Sequence, residues 1–344
     1  MSIFDLIQSA EIAAYWTGVL DNEAIYPCEE LFPDDKKRGL SLKWIKGSKG
    51  LPVVLKTSAF DANSVPRPRI GFDKLTAEMP YFKESTYIDE EMRQELNLVI
   101  ETGNQNYIDS VLNKVFDDEI RLLRGARAAR ERMRMMALTT GVISMKANGQ
   151  TFAFNYGVTN KGNVVKKWEK LAEADPIEDI RNAKTKISET TGAVLTRAMC
   201  DGITWKNLRN NAKIKLAMFP ATNGVGSVSD KALRQYFKDE VELDVLVNDR
   251  RYLDESGQTL KFMPSNTFVM FPDGELGKTW FGTTPAESDL MSSSVANVTI
   301  VDTGVAVTTV EKADPVNVET IVSMICLPSF EAADTVYIMD TATE

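Results

Sequence analysis

An α+β fold organised around one very long helix is predicted by three observations. No proline falls between Pro80 and Pro176, and over the middle of that interval the apolar residues keep helical spacing for about nine turns. Ahead of it the chain is punctuated by Pro33, Gly39, Gly47, Gly50, Pro52, Pro66, Pro68 and Gly71. Behind it, strand and helix signals alternate to the end of the chain with no internal repeat. A helix of about nine turns is too long for the core of one compact domain, where about three to four turns is usual. Something must lie along it, and a neighbouring copy of the same chain is the expected candidate.

In order along the chain, residues 1 to about 30 give a short amphipathic helix (Ile3, Leu6, Ile7, Ala10, then Ile12 to Trp16) and a connector through Pro27. Alone it is an arm that cannot bury its apolar face. The punctuated stretch holds strand-like pieces, LSLKWI (40–45) and LPVVLK (51–56), and reads as an extended β-excursion. The long helix is expected from about Asn106 to Thr140. After Gly141 a hairpin follows, VISMKA and QTFAFNYG about an Asn148-Gly149 turn. Residues 164–190 read as helical, with Asp175 capping at Pro176. Further on, VLTRAMC is strand-like, TWKNLRNNAKI helical, and SDKALRQYFKDE helical behind a serine cap. VELDVLVND, NTFVMFP and the valine- and threonine-rich 292–310 return to strand, and VETIVSMICLPSFEAADTVYIMDT gives two more strands broken at Pro328.

Composition limits the function. The 344 residues are 43% hydrophobic and 26% charged, enough apolar mass for a core and for roughly two domains. A net charge of −9 argues against a nucleic-acid binder that relies on general basic charge. No apolar run nears the roughly 18 residues of a bilayer span, and the start lacks a signal peptide's basic and apolar regions, so the chain is read as cytosolic and without a membrane partner. Cys28, Cys200 and Cys326 stand far apart, with no CxxC pair, and read as reduced, partly buried thiols. There is no histidine. That removes Ser-His-Asp and Cys-His catalysis, His-ligated zinc and the usual general base near neutral pH. Catalytic, cofactor-binding and metal sites are all expected to be absent.

The long helix carries the candidate site. On a helical wheel Leu122, Leu123, Ala126, Ala129, Met133, Met136 and Ala137 form one apolar arc. Arg127, Arg130 and Arg134 flank it on one side, Arg121 and Arg132 on the other. Residues 121–134 hold six arginines against one glutamate, Arg124 among them. Asp117 can pair with Arg121, and Glu131 lies within reach of Arg127 and Arg134. Gly125 in mid-helix costs about 1 kcal/mol relative to alanine and implies a bend or a close backbone approach. Three readings of the arginines stay open: a solvated basic rim, pairs with carboxylates on a neighbouring subunit, or contacts with packaged DNA. On the inter-subunit reading, Arg127→Glu or Arg130→Glu leaves the monomer folded and impairs assembly.

Other clusters carry less. Asp89-Glu90-Glu91 and Asp117-Asp118-Glu119 read as solvated or salt-bridged faces, since adjacent side chains diverge. The Asn223-Gly224-Val225-Gly226-Ser227 loop lacks a Walker lysine and reads as a turn.

Collinear segments give the chain a family likeness. ELFPDDKKRGLSLKWIKG (30–47), LPVVLKTSAFDANSVPRPRIGF (51–72) and EMPYFKESTYIDEEMRQEL (78–96) precede the arginine-rich helix; FMPSNTFVMFPDGELGKTWFGTTPAE (262–287) and LPSFEAADTVYI (327–338) follow it. Together they resemble the lambda-like major capsid proteins of tailed bacteriophages, whose subunits have the Hong Kong ninety-seven capsid fold. The resemblance implies an N-terminal arm (1–30), an E-loop region (31–78), a P-domain (79–190) with the spine helix, and an A-domain (191–344) whose last strands partly return to the P-domain. It also implies icosahedral assembly through hexamers and pentamers, a separate scaffolding protein, a portal, a decoration protein where one is present, and expansion as double-stranded DNA is packaged. The product is the virion, built in the host bacterial cytoplasm. Against this stand a portal or tail-tube component, told apart by particle shape, and a carboxylate-based hydrolase, which needs a cleft with convergent acids.

Overall fold

A computed structural model describes residues 7–20, 22–46, 73–88, 105–147, 150–293, 295–313 and 316–343, with a few positions between 90 and 101. The expected strand LPVVLK, the rest of residues 47–72 and the Asn148-Gly149 turn lie outside them. The chain forms two compact units, each gathered from separate stretches. The first takes Met1–Leu42, Thr76–Arg134 and Lys278–Ser329; the second takes Lys43–Leu75, Met135–Gly277 and Phe330–Glu344.

From the N-terminus the elements are α1 (Ser9–Leu20), β1 (Asp34–Lys36), β2 (Ser41–Lys46), β3 (Asp73–Glu78), β4 (Tyr81–Tyr87) and the long helix α2 (Gln105–Thr140). Next come β5 (Val142–Ala147), β6 (Gln150–Asn155), β7 (Lys161–Asn163), α3 (Pro176–Thr191), β8 (Arg197–Cys200), α4 (Gly202–Asn210), α5 (Ala212–Met218) and α6 (Asp230–Val241). Then follow β9 (Asp244–Val247), β10 (Arg251–Leu253), β11 (Thr259–Lys261), β12 (Thr267–Phe271) and β13 (Thr279–Phe281). The last are β14 (Asn297–Val301), β15 (Val305–Ala313), β16 (Val316–Pro328) and β17 (Tyr337–Asp340).

In the first unit, the 13-residue β16 is the hub of a six-stranded sheet. β15 runs antiparallel along one edge, and β4 and β13 share the other. Because side chains alternate, Val318, Thr320, Val322 and Met324 stand on one face beside Val305, Val307 and Thr309 of β15, and all seven are buried. The arm helix α1 does bury its apolar face, against β14 of the same unit. Ile12 and Trp16, one turn apart, are 0% and 1% exposed. Trp16 Nε1 donates to Asp302 Oδ1 (3.1 Å), and the Ser9 and Thr299 hydroxyls meet at 2.9 Å. Burying Ile12 alone is worth about 1.5–3 kcal/mol.

The second unit is built on a five-stranded sheet in the order β7-β17-β12-β8-β9. Trp168, Ile180, Ile187, Leu208, Leu233, Phe237 and Phe268 lie in its core. Helix α3 begins only at Pro176, so residues 164–175 are turns and not the helix expected of 164–190. The start is fixed by the Asp175 carboxylate, which accepts from Glu178 N, and by the proline behind it. Trp168 is buried from the turn segment, with Nε1 donating to Asp179 Oδ2 at 2.9 Å. TWKNLRNNAKI is two helices, because the Asn211 carboxamide oxygen caps α5 through Lys213 N and Ile214 N (3.0 and 3.1 Å). Ser229 caps α6 as expected, its Oγ accepting from Ala232 N. The Asn223–Ser227 loop is a turn, with Asn223 and Gly224 at φ 50° and 77°.

Candidate functional site: the buried arginine face of the long helix

Helix α2 spans 36 residues, within one residue of the expected start. Its buried stripe is Phe116, Ile120, Leu123, Arg127, Arg130 and Arg134, spaced by three and four. This corrects the wheel. Leu123, Met133 and Ala137 are buried, but Leu122, Ala126, Ala129 and Met136 are only half-buried. The buried face is turned toward the arginines, and it is apolar at one end and cationic at the other. Gly125 is exposed, and among the described residues a side chain there would meet nothing within 4 Å.

Guanidiniums leave water only if carboxylates go with them. The segment from Glu23 to Asp34, at the start of β1, provides most of those carboxylates in rising order, and Asp302 the remaining one. Arg124 Nε donates to Glu23 Oε1 at 2.5 Å. Arg127 is bidentate on Glu29 (2.7 and 2.9 Å), reaches Glu23 at 3.4 Å and lies over the Tyr26 ring. Arg130 donates to Asp302 Oδ2 at 2.7 Å and to Asp34 Oδ2 at 3.4 Å, above Phe281. Arg134 donates to Asp34 Oδ1 and, at 2.8 Å, to Thr279 Oγ1, whose own proton goes to Phe32 O. Between Arg124 and Arg134 the helix rises about 15 Å, matched by a folded segment from Glu23 to Asp34.

Asp302 is a hinge point of this ladder. It sits in the β14–β15 turn at φ 48°, a left-handed conformation unusual for a residue with a side chain. Its two carboxylate oxygens accept hydrogen bonds from Trp16 and Arg130, which offsets that cost. Gly304 in the same turn lets Phe281 close in, because a Cβ there would lie 2.8 Å from Phe281 Cβ.

Two carboxylates on the buried face of α2 are held away from water. Burial pushes Glu131 up to about 7, opposed by Arg134 (4.0 Å) and by the Cys28 N–H, which donates to its Oε1. Glu119, 2% exposed, is likewise pushed by burial to about 7, with the Thr320 hydroxyl favouring its charged form. Asp34 is raised by desolvation against the pull of Arg134 and Arg130, and burial lifts the Cys28 thiol well above its ordinary value.

Of the five candidate arginines, Arg127, Arg130 and Arg134 have side chains 6%, 4% and 1% exposed and pair within their own unit. Arg121 and Arg124 stay 75% and 48% exposed, Arg121 pairing with Asp118 at 3.1 Å rather than with Asp117. The Asp117-Asp118-Glu119 cluster does diverge: Asp117 accepts from Tyr15, Asp118 from Arg121, and Glu119 turns inward. Among the described residues no group of three His, Cys, Asp or Glu could hold a metal, and no helix is long and apolar enough to cross a membrane. Cys28, Cys200 and Cys326 are buried thiols outside any disulfide. The sequence reading missed Glu23, Glu29, Asp34 and Asp302. The one available signal was the run of acids, DNEAIYPCEELFPDD, opposite in sign to the arginine run.

The fold is shared with solved phage proteins. A protein assigned as the capsid protein of a prophage of E. coli CFT073 aligns with a TM-score of 0.60 at 14% identity, over 97% of this chain and 99% of that one. A phage-related protein of Bordetella bronchiseptica RB50 gives 0.55 at 13% identity, over 98% of each chain. The capsid of cyanophage A-1(L) gives 0.53 at 11% identity, over 91% of each. The fold is therefore the Hong Kong ninety-seven capsid fold. Residues 44–341 match the family described as phage major capsid protein E, and the chain belongs to that family of shell-forming head proteins. No curated protein sequence matches it significantly.

Proposed function

We propose that the chain is the head subunit of a tailed phage, joining other copies as hexamers and pentamers around a scaffolding protein. The procapsid then expands as double-stranded DNA enters through a portal, and a decoration protein is added where the phage encodes one. Assembly takes place in the host bacterial cytoplasm and the mature location is the virion. On this reading residues 1–30 serve as the arm, 31–78 as the E-loop, 79–190 as the P-domain with the spine helix, and 191–344 as the A-domain, with its last strands partly returning to the P-domain. The protein turns nothing over; it works by burying surface between copies.

The observation that carries the reading is how the cationic face of α2 is spent. Arg127, Arg130 and Arg134 are fastened inside their own unit to Glu29, Asp302 and Asp34. The spine helix and the segment behind α1 are thereby one preformed block, suited to repeated docking without refolding. Arg121 and Arg124, still exposed, are proposed to face a neighbouring copy or the packaged DNA.

The test is expression with and without the phage's scaffolding protein, with negative-stain imaging and light-scattering mass. Closed shells, or aberrant shells that scaffold corrects, are expected. A small oligomer under every condition would overturn the reading.

A further inference from the structure

Residues 202–238 of the second unit, from α4 into α6, carry seven lysines and arginines against one carboxylate, Asp230. In a chain of net charge −9 this is a local reversal of sign. The arginine run of α2 is basic too, but its buried members are spent on internal carboxylates. Several of the α4 and α6 cations are not. Lys206, Lys231 and Arg234 are exposed, and among the described residues none of the three pairs with a carboxylate.

Two of the cations are held in place around one tryptophan. Trp205 Nε1 donates to Asp230 Oδ1 at 3.0 Å, Arg209 donates to the same oxygen at 3.3 Å, and the Arg234 guanidinium lies 6.0 Å from the centre of the Trp205 ring. One carboxylate cannot neutralise both guanidiniums, and the Arg209 side chain keeps 39% of its surface. Lys231 and Arg234 line an open groove of about 350 Å³ with Asp230, Gln235 and Lys238. Acids of the adjoining segments are engaged: Asp201 caps α4, Asp249 takes Gly202 N and Lys261, Asp239 takes Gln235, and Glu240 takes Arg181. Glu242, which is exposed, stands past the far end of α6, about 12 Å of helix rise from Arg234. Lys213 and Lys238 pair with Asp175 and Asp244 and are left out of the site.

Exposed ammonium groups beside positioned guanidiniums suit a repeating anion that is held by charge without being read: the phosphodiester backbone. We propose that the α4–α6 face binds nucleic-acid phosphates through Lys206, Arg209, Lys231 and Arg234. The source of those phosphates, packaged double-stranded DNA, rests on the head-subunit reading.

The test is fluorescence anisotropy of a labelled DNA duplex of about 20 base pairs with the unassembled full chain, as salt is raised from about 50 mM. Lys231→Gln with Arg234→Gln weakens binding about tenfold and lowers the slope of log affinity against log salt by about 2. Lys114→Gln with Lys146→Gln removes the same charge from exposed lysines elsewhere and changes neither. Thermal unfolding stays unchanged in both. Equal losses from the two pairs, or no duplex binding by the unsubstituted chain, would overturn the site. Displacement of the duplex by poly-glutamate at equal charge concentration would overturn the nucleic-acid assignment in favour of an acidic protein segment. Patch-dependent duplex binding by a protein that never forms shells would keep the site and sink the head-subunit reading; shells from a protein that binds no duplex would do the reverse.

Discussion

Arg127→Ala removes the best-made pair of the ladder. Its side chain is 6% exposed and makes two bonds to Glu29 (2.7 and 2.9 Å) and one to Glu23 (3.4 Å). Taking one partner from a buried pair costs about 3–5 kcal/mol, since the other charge is left behind. Glu29 and Glu23 keep 23% and 25% of their side-chain surface, so water recovers part of that. A cost of about 2–3 kcal/mol is the working figure. For a unit of this size it lowers the melting temperature by about 5–10 °C. The control is Arg121→Ala, 75% exposed with one pair to Asp118, expected to cost less than about 0.5 kcal/mol. The assay is thermal unfolding of the unassembled subunit followed by circular dichroism. Replacing both partners, Arg127→Met with Glu29→Met, should regain much of the loss, because no charge stays buried alone. If Arg127→Ala melts with the Arg121→Ala control yet cannot assemble, the guanidinium acts between copies and the internal ladder is wrong.

Other consequences concern pH, turn and arm. The Glu119 carboxyl is raised from 4.5 to about 7, so between those pH values the folded chain holds a proton that the unfolded chain releases. Stability therefore falls as pH rises through that window and levels off above it; Glu119→Gln should flatten this slope by up to about 2–3 kcal/mol and stabilise the protein at pH 8, as read from urea midpoints. Gly304→Ala pushes a methyl against Phe281 Cβ and should cost about 1–3 kcal/mol in the same assay. Trp16→Ala empties the α1 contact and should cost about 3–5 kcal/mol; limited proteolysis would then cut within the first 30 residues, and an unchanged cleavage pattern would count against cis burial of the arm.

What the sequence made legible was what local pattern controls. The 3.6-residue period gave α2 to within a residue, and alternating valines and threonines gave β14 to β16. The capping residues Asp175 and Ser229 were readable for the same reason. Failures came where distant chain decides. A wheel treats arginine as a surface residue, yet Arg127 is buried by a glutamate 98 positions away. Residues 164–175 mimic a helix because Val164 and Trp168 are four apart, while the Asp179 carboxylate and the cap at Asp175 hold them as turns. Asn211 looked like one polar residue within a helix and is the junction of two. Charge reversal at Arg127 or Arg130, read from sequence as an assembly defect, is expected to destabilise the subunit as well, because both guanidiniums pair within their own unit.

A cryo-electron microscopy reconstruction of assembled shells, at a resolution that traces residues 23–34 continuously into α2, bears most directly on the arginine ladder. Glu29 on Arg127 and Asp302 on Arg130 are predicted to belong to the same chain as their arginines, at the spacing seen here. Carboxylates contributed by a neighbouring chain at those positions would contradict it.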